Sequence, residues 1–353
     1  QWASNCAGSG SRLNYLGNPG LNTGRSIATD HSINREDISL TIQVIALISA
    51  CSLGVSARAQ DSAPARYISP LDCVYKGRVD GMNIVEQAGM QFKVSQKGHD
   101  EYNRFSISKT TEISGIKVGS FAFMTFPTRE ELDNGAYSKK LHFEVYDYGN
   151  LNGNKNEELI RAEDTLYMTF LVQFVTPPPN PEPGSRFDDG NIKYKRNLFF
   201  QFWPGGVATH FNSYPHESPE GKAGKLGYVT VLTGGYGENE PTLSRKFEVE
   251  KNCWYRMSFH YNPDVADGRI LAKMAPHRQG LLTEEMTTLI DLRGNTLYKT
   301  NSNRRILPTF GNYHFGDCPT SVETHFTEIL TSKEPLASHV LLPGRKEKSE
   351  PKN

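Results

Sequence analysis

Leu166-Tyr-Met-Thr-Phe-Leu-Val-Gln-Phe-Val175 and Asn197-Leu-Phe-Phe-Gln-Phe-Trp203 are the stretches that decide the fold. Both are dense in aromatic and branched side chains, the residues that fit a pleated, half-buried surface. Neither carries the 3.6-residue period of an amphipathic helix. Shorter runs of the same kind lie around them: Phe105-Ser-Ile-Ser-Lys109, Tyr228-Val-Thr-Val-Leu232, Trp254-Tyr-Arg-Met-Ser-Phe-His-Tyr261 and Arg269-Ile-Leu-Ala-Lys-Met274. In Leu141-His-Phe-Glu-Val-Tyr-Asp147, Leu, Phe and Val share one face, and His, Glu and Tyr share the other. Turn signals separate these runs at Asp133-Asn134-Gly135, Asp189-Gly190, Gly234-Gly235 and Asp267-Gly268. The last lies between two good strands and predicts a hairpin. Helical pattern is confined to a turn or two around Gly280–Met286. The expectation is an all-β chain, a concanavalin-like jelly-roll β-sandwich in a single domain over residues 70–335. Proline-rich Thr176-Pro-Pro-Pro-Asn-Pro-Glu-Pro183 reads as a loop inside it, because strands of similar character flank it.

Formal net charge is zero over 353 residues, which argues against a nucleic-acid binder, since that class carries a basic excess. Hydrophobic residues at 37% are enough for a packed core. The apolar run from Leu40 to Val55, followed by Ala57-Arg58-Ala59, has the length and the A-x-A ending of a secretory signal and is short for a membrane span. Residues 40–59 are therefore expected to be a signal peptide, with the mature chain starting near Gln60 or Asp61. The polar, aperiodic residues 1–39 precede that signal and contain no Met, so they are expected to be upstream sequence outside the natural protein, or disordered. The charged tail 343–353 is expected to be disordered. These readings place the protein outside the cell, secreted, with no membrane contact after cleavage, and as a monomer. Cys73, Cys253 and Cys318 then allow at most one disulfide and leave one thiol. No cysteine pair has metal-ligand spacing, and neither metal nor cofactor is expected.

No G-x-S-x-G, H-E-x-x-H, P-loop or Rossmann glycine pattern occurs, so function must rest on scattered residues. Glu163 sits two residues from Arg161, which on a strand would hold the carboxylate ionised. A plain surface ion pair explains the same spacing. Gln201 and Trp203 share a strand face, and if Phe200 and Phe202 face the core they face outward, one to hydrogen-bond a sugar and the other to stack on it. A buried Trp is the competing reading. His314, in Phe310-Gly-Asn-Tyr-His-Phe-Gly316, fits an acid, a base or a sugar ligand, or a structural strand histidine. His210, His216 and Glu217 lie close in sequence without clean metal spacing. Lys193, Lys195 and Arg196 make a modest basic stretch that an ordinary solvated loop explains.

The order of these motifs resembles glycoside hydrolase family 131, secreted fungal β-glucanases with a jelly-roll fold. That fold is similar to those of polysaccharide lyase family 20 and heparin-lyase-like proteins. The resemblance rests on Cys73-Val-Tyr-Lys-Gly-Arg-Val79, Phe143-Glu-Val-Tyr-Asp147 followed by Arg161-Ala-Glu163, Trp254-Tyr-Arg-Met257 and Asn312-Tyr-His-Phe-Gly316. It implies a catalytic set of two glutamates and a histidine, which falls on Glu163, His314 and the strand position held here by Gln201. An amide cannot serve as the second carboxylate that glycoside hydrolysis needs. The resemblance thus implies a β-glucan hydrolase with Glu163, His314 and Gln201 at the centre and Arg161, Trp203, Tyr313 and His210 contacting polysaccharide. A lyase acting on a uronate-containing polymer, or a carbohydrate-binding protein without catalysis, stays open beside it.

Overall fold

A computed structural model of the chain describes residues 66–79, 82–97, 103–125, 138–145, 164–178, 196–203, 206–214, 219–233, 242–297, 306–315 and 321–336. The expected signal at 40–59, residues 1–39, the tail 343–353, Cys318, Arg161, Glu163, His216, Glu217, Lys193 and Lys195 lie outside the described residues, as do the expected turns at 133–135, 189–190 and 234–235.

The described chain is strand after strand. It opens with β1 (Arg66–Ile68), β2 (Val74–Val79), β3 (Met82–Gln87), β4 (Met90–Lys97) and β5 (Asn103–Ser108). There follow β6 (Glu112–Ile113), β7 (Ile116–Lys117), β8 (Ser120–Thr125), β9 (Ser138–Glu144) and β10 (Leu166–Thr176). Next come β11 (Arg196–Trp203), β12 (Val207–Ser213), β13 (Lys225–Thr233), β14 (Thr242–Leu243) and β15 (Phe247–Glu250). The last are β16 (Trp254–Asn262), β17 (Gly268–Pro276), β18 (Thr287–Gly294), β19 (Leu307–Phe315) and β20 (Val322–Ser332). Among the described residues, helix is limited to one turn at Pro219–Lys222 and a 3-10 turn at Thr283–Glu285. The hairpin expected at Asp267-Gly268 is present, with Asn262 facing Arg269 across β16 and β17.

Two antiparallel sheets and a small hairpin result. An eight-stranded sheet runs β18-β17-β16-β10-β20-β8-β5 with β1 on β20, and a ten-stranded sheet runs β14-β13-β12-β11-β19-β9-β4-β3-β2 with β15 on β13. The chain changes sheet at each step from β9 to β10 to β11, and again from β18 to β19 to β20. That alternation is what makes a jelly roll and not two stacked meanders. Phenylalanines join the layers: Phe170 meets Phe200 at 5.1 Å, Phe174 meets Phe211 at 4.3 Å and Phe310 meets Phe326 at 4.9 Å between ring centroids. Each such ring, fully buried, contributes about 1.5–3 kcal/mol.

One polar tie crosses this apolar layer. Asn312 Nδ2 on β19 donates to the carbonyls of Phe123 (2.8 Å) and Val322 (3.0 Å), both in the other sheet. Its Oδ1 accepts from Asn197 Nδ2 at 2.8 Å, and Asn197 Oδ1 accepts from the Tyr313 backbone N–H at 3.0 Å. A buried amide is tolerated when its donors and acceptor are all used, as here. The tie also holds the backbone of Tyr313, which matters below.

A second buried polar group lies in the eight-stranded sheet. Pairing of β10 with β20 slips between Thr169 and Leu171, and at that bulge Glu328 adopts φ +53°. Burial pushes its carboxyl up to about 7, against a hydrogen bond from Tyr67 and the field of Arg256, which favour the anion. A carboxyl raised on folding contributes stability that is complete below its unfolded value, near 4.5, and is lost as pH rises through about 7. Glu328→Gln is therefore expected to lose nothing at pH 5 and to gain on the wild type at pH 8, by on the order of 2 kcal/mol. Thermal denaturation of both proteins at the two pH values checks this. Parallel pH dependence would overturn it.

Candidate active site on the ten-stranded sheet

The face of the ten-stranded sheet turned away from the core carries the polar groups. On β11, a register slip between Leu198 and Phe200 lets Phe199 and Phe200 both turn inward. Phe202 also turns inward, onto Tyr261 at 4.4 Å. Alternation then sends Leu198, Gln201 and Trp203 to the outer face. Gln201 is 6% exposed, while Trp203 is 55% exposed. The sequence reading of this strand, with Gln201 and Trp203 together and Trp203 presented outward, matches that placement.

Cross-strand register builds the rest. Gln201 faces Thr309 on β19, and Thr309 faces Glu144 on β9. Glu144 accepts a hydrogen bond from Ser95 Oγ on β4. One rung along, His142 faces Gly311. One further, Tyr313 faces Leu198, which faces His210 on β12. His142 is fully buried and His210 nearly so.

Gln201 and His142 are two strands apart, about 10 Å of backbone separation. Their side chains nevertheless meet, with Gln201 Nε2 3.5 Å from His142 Nδ1. Gly311, on the strand between them, has no side chain to separate them. It also takes φ +146°, and a Cβ there would lie 2.0 Å from the Leu141 carbonyl oxygen and 3.1 Å from His142 Cα. The Tyr313 ring stands edge-on to the His142 ring at 5.8 Å. As placed, the Gln201 amide donates to Nδ1, which leaves the imidazole proton on Nε2. The face therefore gathers an amide donor, an imidazole N–H, a phenol and, on the next rung, a carboxylate.

The structure thus brings Gln201, Tyr313 and His210 to one face, with Trp203 at its exposed margin. His314 lies on β19 with its backbone paired to Asn197 and Lys139, and its side chain is outside the described set. His142, Glu144 and Ser95 are neighbours of Gln201 that sequence reasoning did not single out. The alternation in Leu141-His-Phe-Glu had set His142 and Glu144 on the polar face of their strand. What was missing was that β19 comes between β9 and β11. Among the described residues, no group of three or more His, Cys, Asp or Glu is placed to hold a metal, and no helix is long and apolar enough to cross a membrane. Cys73 and Cys253 are both free thiols, and burial pushes Cys73 up to about 12.

No family model matches the sequence, and no curated protein matches it. Solved structures do resemble it in fold. An endo-β-1,4-glucuronan lyase from the fungus Trichoderma reesei is 9% identical with a TM-score of 0.42, over 76% of this chain and 94% of that one. The catalytic domain of a glycoside hydrolase family 131 protein from Coprinopsis cinerea is 10% identical with a TM-score of 0.41, over 72% and 87%. The family 7 alginate lyase A1-II' is 12% identical with a TM-score of 0.36, over 69% and 85%. At such identities the likeness concerns fold alone.

Proposed function

We propose that this chain is a secreted polysaccharide-cleaving enzyme, and that the outer face of its ten-stranded sheet performs β-elimination on a uronate-containing polymer. The observation that supports this reading is the meeting of Gln201 and His142 beside Tyr313. β-Elimination starts by removing a carbon-bound proton next to a carboxylate, which becomes acidic only when that carboxylate's charge is held by donors. The second N–H of the Gln201 amide and the Nε2–H of His142 supply two such donors. Tyr313, as phenolate, takes the C5 proton. The C4–O bond then breaks, the phenol returns its proton to the departing oxygen, and a C4=C5 double bond remains on the new non-reducing end. Trp203 offers a stacking surface to an adjoining sugar ring.

Glu144 favours a second reading, the hydrolysis of β-glucan. That reaction needs paired carboxylates, and Glu144 stands two strands from Gln201 on the same rung, where it supplies a carboxylate that the Gln201 position lacks. Glu163 would be its partner, with Arg161 and His314 assisting. Digestion of uronans and neutral β-glucans, followed by reducing ends and near-ultraviolet absorbance together, separates the two. New reducing ends with absorbance on a uronan support elimination. Reducing ends without absorbance on a glucan overturn it in favour of Glu144 and Glu163. No new ends on either polymer overturn catalysis and leave a binding protein.

Trp203→Ala is expected to raise KM by about tenfold with kcat nearly unchanged, because an exposed ring binds ground state and transition state alike. Steady-state kinetics on the active polymer checks it. A fall in kcat at constant KM would place Trp203 in the chemistry instead.

A further inference from the structure

The eight-stranded sheet has its own cavity, of about 210 Å³, on the face turned away from the core. Its lining includes Arg256 and Ser258 of β16, Tyr167 and Thr169 of β10, Lys273 of β17 and His260 of β16. Register places them in adjacent rungs: Lys273 faces Ser258, Ser258 faces Thr169, and His260 faces Tyr167.

The unusual member is Arg256. Its side chain is 6% exposed, yet among the described residues no carboxylate stands within ion-pair distance. Its hydrogen bond goes from Nη1 to the Leu281 carbonyl oxygen at 3.3 Å. Buried guanidinium groups are otherwise paired, because an uncompensated charge away from water is costly. Glu328 acts on Arg256 through space, and burial keeps much of that carboxyl protonated near neutral pH. Lys273 Nζ adds a second cation, held by the Thr283 carbonyl oxygen at 3.2 Å. Tyr167 and His260 stack with ring centroids 4.5 Å apart and form an aromatic wall. Glu284 is exposed on the cavity's lining.

We infer that this cavity is a binding site for one anionic sugar residue, a uronate, with its carboxylate on Arg256 and Lys273. The hydroxyl groups of Ser258 and Thr169 meet the ring hydroxyls, and the Tyr167–His260 wall meets the apolar ring face. A small cation-lined cavity selects the charge, and the hydroxyl and aromatic lining selects a sugar over a bare anion. The site lies on a different sheet from Gln201 and His142, so it stands or falls independently of the proposed reaction.

Calorimetric titration of the full-length Gln201→Ala protein with glucuronate, glucose and inorganic phosphate tests it. One glucuronate per chain is expected, with glucose not binding and phosphate binding more weakly. In that background Lys273→Gln and Arg256→Gln are each expected to weaken glucuronate binding by about 10- to 100-fold, the effect of losing one charge-assisted contact. Lys273 is only partly buried, so Lys273→Gln remains informative if Arg256→Gln does not fold. Glucuronate binding untouched by Lys273→Gln, phosphate binding as tight as glucuronate, or no glucuronate binding would each overturn the site.

Discussion

His142→Ala is expected to fold and to cut kcat/KM by about a thousandfold. Removing one preorganised donor from a developing negative charge typically removes two to three powers of ten, and here two such losses coincide. The Nε2–H disappears, and Gln201 loses the group that orients its amide. The fold survives because His142 lies on the outer face of the ten-stranded sheet. The side chains beside it on β9, Leu141 and Phe143, are the ones that enter the core. Because the His142 ring is itself buried, its loss is expected to cost about 1–3 kcal/mol, while the core between the two sheets stays intact. Circular dichroism and thermal denaturation establish the fold, and initial rates on the responsive polymer give the activity. His142→Gln, which keeps a donor in nearly the same place, is expected to recover part of the loss. A well-folded His142→Ala protein within threefold of wild-type activity would remove His142 from the chemistry, and the proposed reaction with it.

Gly311→Ala is expected to have the opposite profile, a collapse of stability. The added methyl group would sit 2.0 Å from the Leu141 carbonyl oxygen, so β9 and β19 must part or the backbone must leave φ +146°, a region closed to alanine. Neither relief is local. Leu141 faces Asn312, and the amide of Asn312 ties this sheet to the other. Substitutions that force backbone apart in this way exceed about 4 kcal/mol. At about 2–4 °C per kcal/mol for a domain of this size, the midpoint should fall by roughly 10 °C or more, or soluble protein should fail to appear. A midpoint within 2 °C or so of the wild type would mean that β19 has another backbone course at this position.

The sandwich was legible wherever a strand had one apolar side. β9, β16 and β17 show the alternation their register demands, β11 shows it only from Phe200 onward, past its register slip, and the turn at Asp267-Gly268 announced its own hairpin. β20 was not legible. Val-Glu-Thr-His-Phe-Thr-Glu-Ile-Leu-Thr-Ser reads as polar, yet it is an eleven-residue strand inside the eight-stranded sheet, with Thr324, Thr327 and Glu328 buried. Two of these polar side chains find partners that only the assembled sheet provides, Asn197 for Thr324 and Tyr67 for Glu328. The candidate site was half legible for the same reason. Gln201, Trp203 and Tyr313 stood out by their surroundings in the chain. His142 stood out by nothing local, because its significance comes from Gly311 and Gln201, residues distant in sequence that strand order alone makes neighbours.

The Asn197–Asn312 tie has a consequence for how the protein breathes. Because Asn312 hydrogen-bonds the Phe123 and Val322 carbonyls from across the interlayer, β8, β19 and β20 cannot open to water one at a time. Their backbone amides should exchange with deuterium together, at the slow rate of the whole sandwich coming apart. Edge strands such as β2, β14 and β18 should exchange far sooner.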